Sequence, residues 1–298
     1  MLDVHRLRLL RELAHRGTLA AVAASLSYSP STVSAQLSQL EREAGARLLE
    51  PVGRGVRLTE AGRVLVAHTE AILERLELAE AQLADAQSEL TGTVRLAVFQ
   101  TAALALLPPA LSALAAQYPQ LRVEAQQVDP PIALPALRAH DFDLVLSEEY
   151  PGDPLPPVPG LERRTLGRDP LRLARPPGET APIRHLRELA ERTWVLEPPG
   201  TSVHSWALAL CRSAGFEPDV RFISADLLTQ IRLVESGHAL AFIPDLTWRS
   251  QRVIAALHAI PGREQARRIS TVTRRGGAAH PAVRAVRTAL HDALEPDR

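Results

Sequence analysis

The stretch SPSTVSAQLSQLE, residues 29–41, decides the fold of the N-terminal region. Its first residues start a helix: the Ser29 hydroxyl can accept a free backbone N–H, and Pro30 suits the first helical position because proline has no N–H to leave unpaired. Apolar residues then recur at i, i+4 and i+7 and predict a buried face made of Val33, Leu37 and Leu40. The other positions carry mostly short polar side chains as far as Gly45, which ends the helix.

Shorter patterns lie on both sides of this helix. Before it, leucines at helical spacing from Leu7 predict a first helix that Gly17 ends, and Thr18 can cap an alanine-rich second helix over residues 19–26. After it, the segment GRGVRLT, residues 53–59, predicts a short hairpin, because glycine permits a tight turn. The tip of the hairpin is expected to carry two arginines, Arg54 and Arg57.

Together these elements predict a winged helix-turn-helix that binds double-stranded DNA. A helix in the major groove needs short hydrogen-bonding side chains in its first turns, where it approaches the base edges. Arginines suit phosphates and a narrow minor groove. The alternative, a small helical bundle whose third helix merely has a polar face, does not account for the arginine hairpin. The expected DNA-binding residues are Ser29, Ser31, Thr32, Ser34, Gln36, Arg54 and Arg57.

The charge distribution supports a separate basic head, although the formal net charge of the chain is +0. Eight arginines against five carboxylates give residues 1–58 a charge of +3. Two arginines against seven carboxylates give residues 59–91 a charge of −5. A basic N-terminal segment is therefore followed by an acidic helix, although the net charge of the whole chain is zero. We therefore expect residues 1–58 to form the DNA-binding domain.

A long helix is predicted over residues 59–91, with Thr59 as its cap. Apolar and small residues step alternately by four and three along it, which is a sustained heptad seam. The seam consists of Leu65, Thr69, Ile72, Leu76, Ala79, Leu83, Ala86 and Leu90. An apolar stripe of this length needs a partner. We expect a second copy of the chain, in a homo-dimer or homo-tetramer with paired heads; packing along the chain's own globular domain is the alternative.

The order of these elements resembles the LysR-type transcriptional regulators. The resemblance is carried by residues 19–26, by SPSTVSAQLSQLE, by GVRLTEAG at residues 55–62 and by the heptad helix, and it is specific over residues 1–92. The chain departs from the family pattern at two places. Many members have serine-any-proline where this chain has Ser-Pro-Ser, and Ala35 stands where members often carry a long polar residue. Both departures concern the operator sequence and leave the fold unaffected.

The resemblance also implies a two-lobed effector-binding domain, similar to periplasmic binding proteins, over residues 92–298. The similarity is carried by LPPALSALAAQYPQLRV at residues 107–123 and by SGHALAFIP at residues 236–244. It implies that the chain crosses between the lobes near residues 165 and 266. Lobe I would comprise residues 92–165 and 267–298, and lobe II would comprise residues 166–266.

Strand and helix patterns alternate after Thr91 and Gly92, and this alternation by itself predicts an α/β fold with mostly parallel strands. The patterns predict one helix over residues 104–117 and another over residues 183–190. They also predict two separate strands, over residues 162–166 and 171–174.

An effector is expected beyond the carboxyl ends of the strands, near helix N-termini, as in other open α/β sheets. The candidate residues are Gln100, Thr101, Ser147, Glu148, Ser202, His204 and Asp226. Thr101 and Ser202 could offer hydroxyl and backbone N–H groups to a carboxylate, and Glu148 could hold an ammonium group or lie in solvent. For each residue the alternative is an ordinary helix cap or an exposed polar side chain. The identity of the small-molecule effector is not predicted.

Other chemistry is not indicated by the sequence. The histidines lack metal-ligand spacing, and there is no GxGxxG fingerprint, phosphate loop or Gly-x-Ser-x-Gly elbow, so no enzyme, cofactor or metal site is predicted. The single cysteine, Cys211, is expected to be a buried helix residue rather than a redox sensor. A set of arginines is expected along the solvated edge of a strand, with a second DNA-binding patch as the alternative: Arg263, Arg267, Arg268, Arg274 and Arg275.

The sequence therefore predicts a ligand-responsive, sequence-specific transcription regulator, in which a small molecule bound between two α/β lobes alters the arrangement of paired DNA-binding heads. No apolar run reaches the ~18 residues of a membrane span, and a single cysteine fits a reducing compartment, so a cytoplasmic location without membrane contact is expected. One alternative is an α/β solute-binding or enzymatic domain with an incidental helical head. Another is a DNA-binding protein that responds to no ligand.

Overall fold

The computed structural model describes residues 1–53, 55–86, 89–250 and 254–295. Its N-terminal region, called the head below, consists of three helices and a two-stranded hairpin, and a long helix follows. These elements are α1 (Val4–Arg16), α2 (Leu19–Ser25), α3 (Pro30–Ala44), β1 (Leu49–Val52), β2 (Gly55–Leu58) and α4 (Glu60–Asp85). The predicted helix starts are confirmed, because the hydroxyls of Thr18, Ser29 and Thr59 each accept a backbone N–H from the helix that follows.

Leucines of α1 and the apolar face of α3 form the core of the head. Val33, Leu37 and Leu40 are each at most 1% exposed and pack against α1 and α2. The first turn of α4 closes this core at Gly62, where an added Cβ would lie 2.3 Å from the carbonyl oxygen of Leu48. The close approach of the helix to the backbone before the hairpin therefore requires glycine at this position.

The remainder of the described chain forms two α/β lobes. The strands are β3 (Gly92–Val98), β4 (Leu121–Gln127), β5 (Leu144–Glu149), β6 (Leu161–Arg175), β7 (Thr193–Leu196), β8 (Asp219–Ile223), β9 (Ala241–Pro244), β10 (Ala256–Ala259) and β11 (Ala266–Arg274). The helices are α5 (Gln100–Ala105), α6 (Leu107–Gln117), α7 (Pro130–Arg138), α8 (Ser202–Ser213), α9 (Leu227–Glu235), α10 (Leu246–Ser250) and α11 (Pro281–Leu294). Within the described ranges, no helix has the length and apolar character that a membrane crossing requires.

One long strand, β6, joins the two lobes. Its residues 161–170 pair with β11 in the first lobe, which also contains the parallel strands β4, β3 and β5. Its residues 171–175 pair with β9 and β10 in the second lobe, where β7 and β8 form a separate parallel pair. The predicted α/β architecture is confirmed, but the expectation of mostly parallel strands is wrong, because β6 and β11 pair antiparallel with each of their neighbours.

Three local predictions are wrong. β6 replaces two separate strands because β11 pairs with the turn-forming segment at residues 167–170 and keeps it in the ladder. α5 and α6 replace a single helix because Pro108 and Pro109 cannot donate the N–H groups that would continue α5, and prolines fit the first turn of α6. Residues 183–190 contain a single 3₁₀ turn, Leu186–Leu189, because the capping box of His185 and Glu188 starts it late.

The long helix α4 contacts both the head and the first lobe. Along the heptad seam, Leu65 packs on the core of the head and Thr69 is fully buried. Another face of α4 contacts the first lobe, where Glu77 accepts a hydrogen bond from Arg274 Nε at 2.6 Å. Three further seam residues remain open: Ile72, Leu76 and Leu83 are 40%, 44% and 70% exposed. The helix therefore packs along its own chain on one side and leaves an apolar stripe uncovered on another.

Candidate DNA-reading surface and effector cavity

The exposed face at the start of α3 carries short hydroxyl side chains. Ser31, Thr32 and Ser34 are all exposed. Ser29 has a different role, because its hydroxyl accepts the backbone N–H of Thr32 at 3.1 Å and lies 2.7 Å from the Ser31 hydroxyl oxygen. Ser29 is therefore the cap of the helix, and the three hydroxyls that follow it are accessible to a partner.

The longer side chains predicted to bind DNA, Gln36 and Arg57, are hydrogen-bonded to other residues of the head. The side-chain oxygen of Gln36 accepts a hydrogen bond from Arg6 Nε at 2.9 Å, which ties Gln36 to α1. The expectation that Arg57 lies at the hairpin tip is wrong, because the strand register places it inside β2 opposite Glu50. Its Nε and Nη2 atoms donate to Glu50 Oε1 at 2.9 and 2.6 Å. Arg54 lies outside the described residues.

A cavity of about 360 Å³ lies between the two lobes. Its walls come from the starts of α5 and α7 in the first lobe and from β7, α8 and α9 in the second. Part of the predicted effector set lines this cavity, namely Gln100, Thr101, Glu148 and Ser202. The structure thus brings together side chains from both lobes that are far apart in sequence.

The other three predicted effector residues lie outside the lining. Ser147 precedes Glu148 on β5 and is fully buried, because neighbouring residues of a strand point to opposite faces. The Nδ1 atom of His204 lies 2.7 Å from the backbone oxygen of Glu197. Asp226 caps α9 and accepts a hydrogen bond from Nε2 of Gln100 at 2.9 Å, which joins the second lobe to the first beside the cavity.

Three of the described charged residues line the cavity without being in the predicted effector set: Asp129, Glu197 and Arg267. The expected place of Arg267 on a solvated strand edge is wrong, because β11 is flanked by β5 and β6 and the Arg267 side chain is only 3% exposed. Its register partner on β6, Asp169, accepts hydrogen bonds from Nε and Nη2 at 2.9 and 2.6 Å. Nη2 also donates to the Thr101 hydroxyl at 2.6 Å, and Nη1 is paired with Glu148.

The other arginines of that set divide between surface and interior. Arg263, Arg268 and Arg275 are exposed, as the sequence predicts. Arg274 is an exception, because its side chain is only 14% exposed and pairs with Glu77 of α4. Arg267 and Arg268 differ in burial because adjacent residues of β11 face opposite sides of the sheet, whereas Arg274 is buried because α4 packs against it.

Two titratable groups of the cavity are strongly perturbed. Burial opposes the charge of Arg267, but Glu148 and Asp169 outweigh it and raise the pKa of Arg267 above its ordinary value, so the guanidinium stays protonated. Burial raises the pKa of Glu197 to about 7, and the negative charges of Glu148 and Asp129 act in the same direction. The cavity therefore contains a carboxyl group that titrates near neutrality.

Known families match both parts of the chain. Residues 4–63 match the family described as bacterial regulatory helix-turn-helix protein, lysR family. Residues 87–295 match the family described as LysR substrate binding domain. The first match includes α1 to α3, the hairpin and the first turn of α4, and the second includes all the elements that form the cavity; residues 64–86 lie between the two matches.

Similar proteins agree with these matches. The chain is 27% identical over 254 residues to the transcriptional dual regulator GltC of Bacillus subtilis, covering 83% of this chain and 82% of that protein. It is 28% identical over 284 residues to a probable hydrogen peroxide-inducible genes activator of Streptomyces viridosporus, covering 91% and 88%. A full-length OxyR variant from Pseudomonas aeruginosa has the same fold, with a TM-score of 0.72 at 18% identity over 97% of this chain and 95% of that chain. The chain therefore belongs to the LysR family of helix-turn-helix transcription regulators.

Proposed function

We propose that this LysR-family regulator binds operator DNA through paired α3 helices and takes a small-molecule effector in the cavity between its lobes. In this proposal, residues 1–58 are the DNA-binding domain, residues 59–91 contain the linker and dimerisation helix, and residues 92–298 are the effector-binding domain. The helix itself is α4, which ends at Asp85 and is shorter than expected. The expected lobe boundaries at residues 165 and 266 are adjusted here, because residues 161–170 of β6 pair with β11: lobe I comprises residues 92–170 and 266–298, and lobe II comprises residues 171–265. The protein acts in the cytoplasm. Family membership supports this class of activity, and the geometry supports the choice of residues.

The observation that carries the DNA proposal is the exposed hydroxyl surface at the start of α3. Ser31, Thr32 and Ser34 lie on the first turns of a helix whose other side is fixed in the core of the head. Short side chains there let a helix approach base edges in the major groove. The test is fluorescence anisotropy of the full chain with the promoter DNA next to its own gene. No binding at either low or physiological salt would contradict the proposal.

The uncovered stripe on α4 supports pairing with a second copy. Ile72, Leu76 and Leu83 are exposed members of one heptad seam, and an exposed apolar stripe of this kind is typical of a helix that dimerises. Light scattering of the full chain should give at least a dimer. The double variant Leu76→Glu/Leu83→Glu should shift it toward monomer and weaken DNA binding, because two linked heads bind two half-sites with avidity. Arg75→Glu, an exposed change on the same helix, is the control.

The cavity favours the hypothesis of a ligand-responsive regulator over the alternative of a DNA-binding protein that responds to no ligand. The Gln100–Asp226 hydrogen bond and the bond from the Leu227 N–H to Gln100 Oε1, at 3.3 Å, join the lobes beside the cavity. The lobes can be joined by these contacts or separated. A ligand that binds one of these two conformations more tightly than the other shifts the population toward it. Thermal shift with a metabolite library tests this, since a ligand of the native state raises Tm. A library that leaves Tm unchanged would favour the ligand-independent alternative.

The peroxide response in the name of one relative does not suit this chain. Cys211 is the single cysteine of the sequence and is only 1% exposed. Burial raises the pKa of its thiol to about 12, so the reactive thiolate is scarce at neutral pH. A sulfenic acid at Cys211 would also lack a second cysteine to resolve it. The proposed signal is therefore a bound small molecule.

A further inference from the structure

The charged side chains that line the cavity are mostly acidic. Among the described lining residues, Asp129, Glu148 and Glu197 carry carboxyl groups, and Arg267 is the single cation. Arg267 also forms an ion pair with Asp169, which is 2% exposed and does not line the cavity. The charge of the one cation is therefore already balanced by the protein, and the remaining carboxyl groups give the cavity an acidic character.

Arg267 has no hydrogen-bonding capacity to spare for a carboxylate ligand. A guanidinium has five N–H donors. The Nε donor and one Nη2 donor go to Asp169, and the other Nη2 donor goes to the Thr101 hydroxyl. Nη1 is paired with Glu148 and lies 3.5 Å from the Tyr150 hydroxyl oxygen. An anionic ligand would have to displace one of these partners and would then lie beside the displaced carboxylate.

The rest of the cavity wall is largely apolar. Aromatic and aliphatic side chains from both lobes contribute to it, among them Phe99, Leu134, Leu171, Val203, Leu227 and Phe242. Such a wall binds the apolar body of a ligand, and the few charged groups decide which polar group the ligand carries.

We propose that the cavity takes a ligand with an apolar body and a protonated amine, whose ammonium group lies among Glu148, Glu197 and Asp129. This inference rests on the proposed effector role of the cavity and names the chemical class of the effector. An ionised carboxyl group at any of the three positions attracts an ammonium group and repels a carboxylate. Both effects are stronger at the partly buried Glu148 and Glu197 than at the exposed Asp129.

One feature of the wall could favour an anion. The start of α8 borders the cavity at Thr201 and Ser202, and the N-terminus of a helix attracts negative charge. The Thr201 hydroxyl already accepts the backbone N–H of His204 at 3.2 Å and donates to the backbone oxygen of Pro198 at 3.0 Å. Glu197 also stands just before this helix, and Thr201 acts to lower the pKa of Glu197 against the larger effect of burial, so the protein itself supplies a carboxyl group beside the helix start.

The sign of the pH dependence separates the two ligand classes. Glu197 titrates at a pKa of about 7 and faces Glu148 of β5, Asp129 before α7, Arg267 of β11 and Thr201 before α8. An ammonium ligand favours the ionised carboxylate, so its binding releases a proton and its affinity rises from pH 6 to pH 8, by up to about tenfold. A carboxylate ligand favours the protonated acid, so its affinity falls over the same interval.

The test is isothermal titration calorimetry of the full chain with two probes that share an apolar body, 2-phenylethylamine and 3-phenylpropanoate. The amine should bind at least about tenfold more tightly than the carboxylate at pH 7.5. It should also release protons, seen as a difference in heat between buffers of different ionisation enthalpy. Tighter binding of 3-phenylpropanoate, or no binding of the amine at millimolar concentration, would overturn the proposal.

Three variants complete the design. Glu197→Gln should weaken binding of the amine and remove the rise in its affinity from pH 6 to pH 8. Glu191→Gln, which changes an exposed carboxylate of the same lobe, should do neither. Leu134→Trp fills the cavity and should abolish binding of the amine. Each variant is first checked by circular dichroism and cooperative thermal unfolding, which report a folded chain independently of either binding site.

The outcomes distinguish the two proposals. Carboxylate binding that Leu134→Trp abolishes would overturn the ligand class and leave the cavity as the effector site. Amine binding that Leu134→Trp leaves unchanged would overturn both, because the amine would then bind elsewhere. If Glu197→Gln and Glu191→Gln reduced the affinity for the amine equally, the effect of Glu197 would not depend on its place in the cavity. This result would also count against the proposal.

Discussion

Arg16 of the head forms an ion pair with Asp141 of the first lobe, with 2.7 Å between Nη2 and Oδ1. A second contact lies beside it, where Arg11 Nη1 is 2.5 Å from Nε2 of His140. Burial and the nearby cations hold the pKa of His140 at about 2, so its ring is neutral and can accept this hydrogen bond. The orientation of α1 is therefore linked directly to the lobe that forms half of the cavity.

The first prediction concerns this link between head and lobe. In Arg16→Ala, Asp141 loses its partner and the buried Glu12 loses one of two arginines. We expect the free energy of unfolding to fall by about 1–2 kcal/mol, mostly because Glu12 is 4% exposed whereas Asp141 is partly solvated. Urea unfolding measures the change. Arg63→Ala breaks an exposed pair with Glu60 and should cost less than about 0.5 kcal/mol; equal losses would contradict the prediction.

The second prediction concerns Gly62. A Cβ there would lie 2.3 Å from the Leu48 carbonyl oxygen, so Gly62→Ala should push α4 away from the hairpin. We expect a loss of about 1–3 kcal/mol in unfolding free energy, although alanine normally favours a helix. DNA affinity should fall in parallel. The control is Gly55→Ala, where the nearest backbone atom is 3.7 Å away. If Gly62→Ala were as stable as the wild type, the approach of α4 to the Leu48 carbonyl would not require glycine at residue 62.

The third prediction separates two roles in DNA binding. Thr32→Ala should change base preference by about 1–3 kcal/mol and leave the salt dependence unchanged, because the exposed Thr32 hydroxyl lies on the proposed base-reading surface of α3. Arg57→Ala should weaken binding to all sequences and lower the slope of affinity against salt by about 0.9, the loss of one phosphate contact. Anisotropy titrations at several salt concentrations measure both. An unchanged affinity in both variants would place the reading surface elsewhere.

The fourth prediction concerns the buried arginine of the cavity. Arg267→Met leaves Asp169 without its cation in a site that is 2% exposed, so the unfolding free energy should fall by about 3–5 kcal/mol. The double variant Arg267→Met/Asp169→Leu should recover part of this loss, because it removes the unpaired charge. Arg268→Met is the matched control, since its side chain is 59% exposed on the opposite face of the same strand. A similar loss in both single variants would argue against a special role for Arg267.

The fifth prediction concerns the effect of pH on stability. The pKa of Glu197 is raised from 4.5 to about 7, so the folded state binds this proton more tightly than the unfolded state. Its contribution to stability is therefore present below pH 4.5 and is lost as the pH rises through 7, by about 1–3 kcal/mol. Glu197→Gln should lessen the fall in unfolding free energy between pH 5 and pH 8. Glu191→Gln should keep the wild-type fall, and identical pH profiles for the two variants would contradict the assignment.

Local sequence patterns were enough to predict the helices of the head and which of their faces are buried. The caps at Thr18, Ser29 and Thr59 act on N–H groups within three residues, and the apolar periods of α1 and α3 mark their buried faces. Such interactions are local, so residue order is enough to predict them. The alternation of strands and helices after Gly92 predicts the α/β class in the same way, because each period reflects which face of an element is buried.

Only the tertiary structure decided which polar side chains form the site. Arg267 looks like its exposed neighbours in sequence, yet its partners Asp169, Glu148 and Thr101 are 98, 119 and 166 residues away. Gln36 is tied to Arg6, and Gln100 meets Asp226 across the lobes, through contacts that no short motif specifies. A buried charge is stable only where partners converge on it, and the pairing of distant strands brings those partners together.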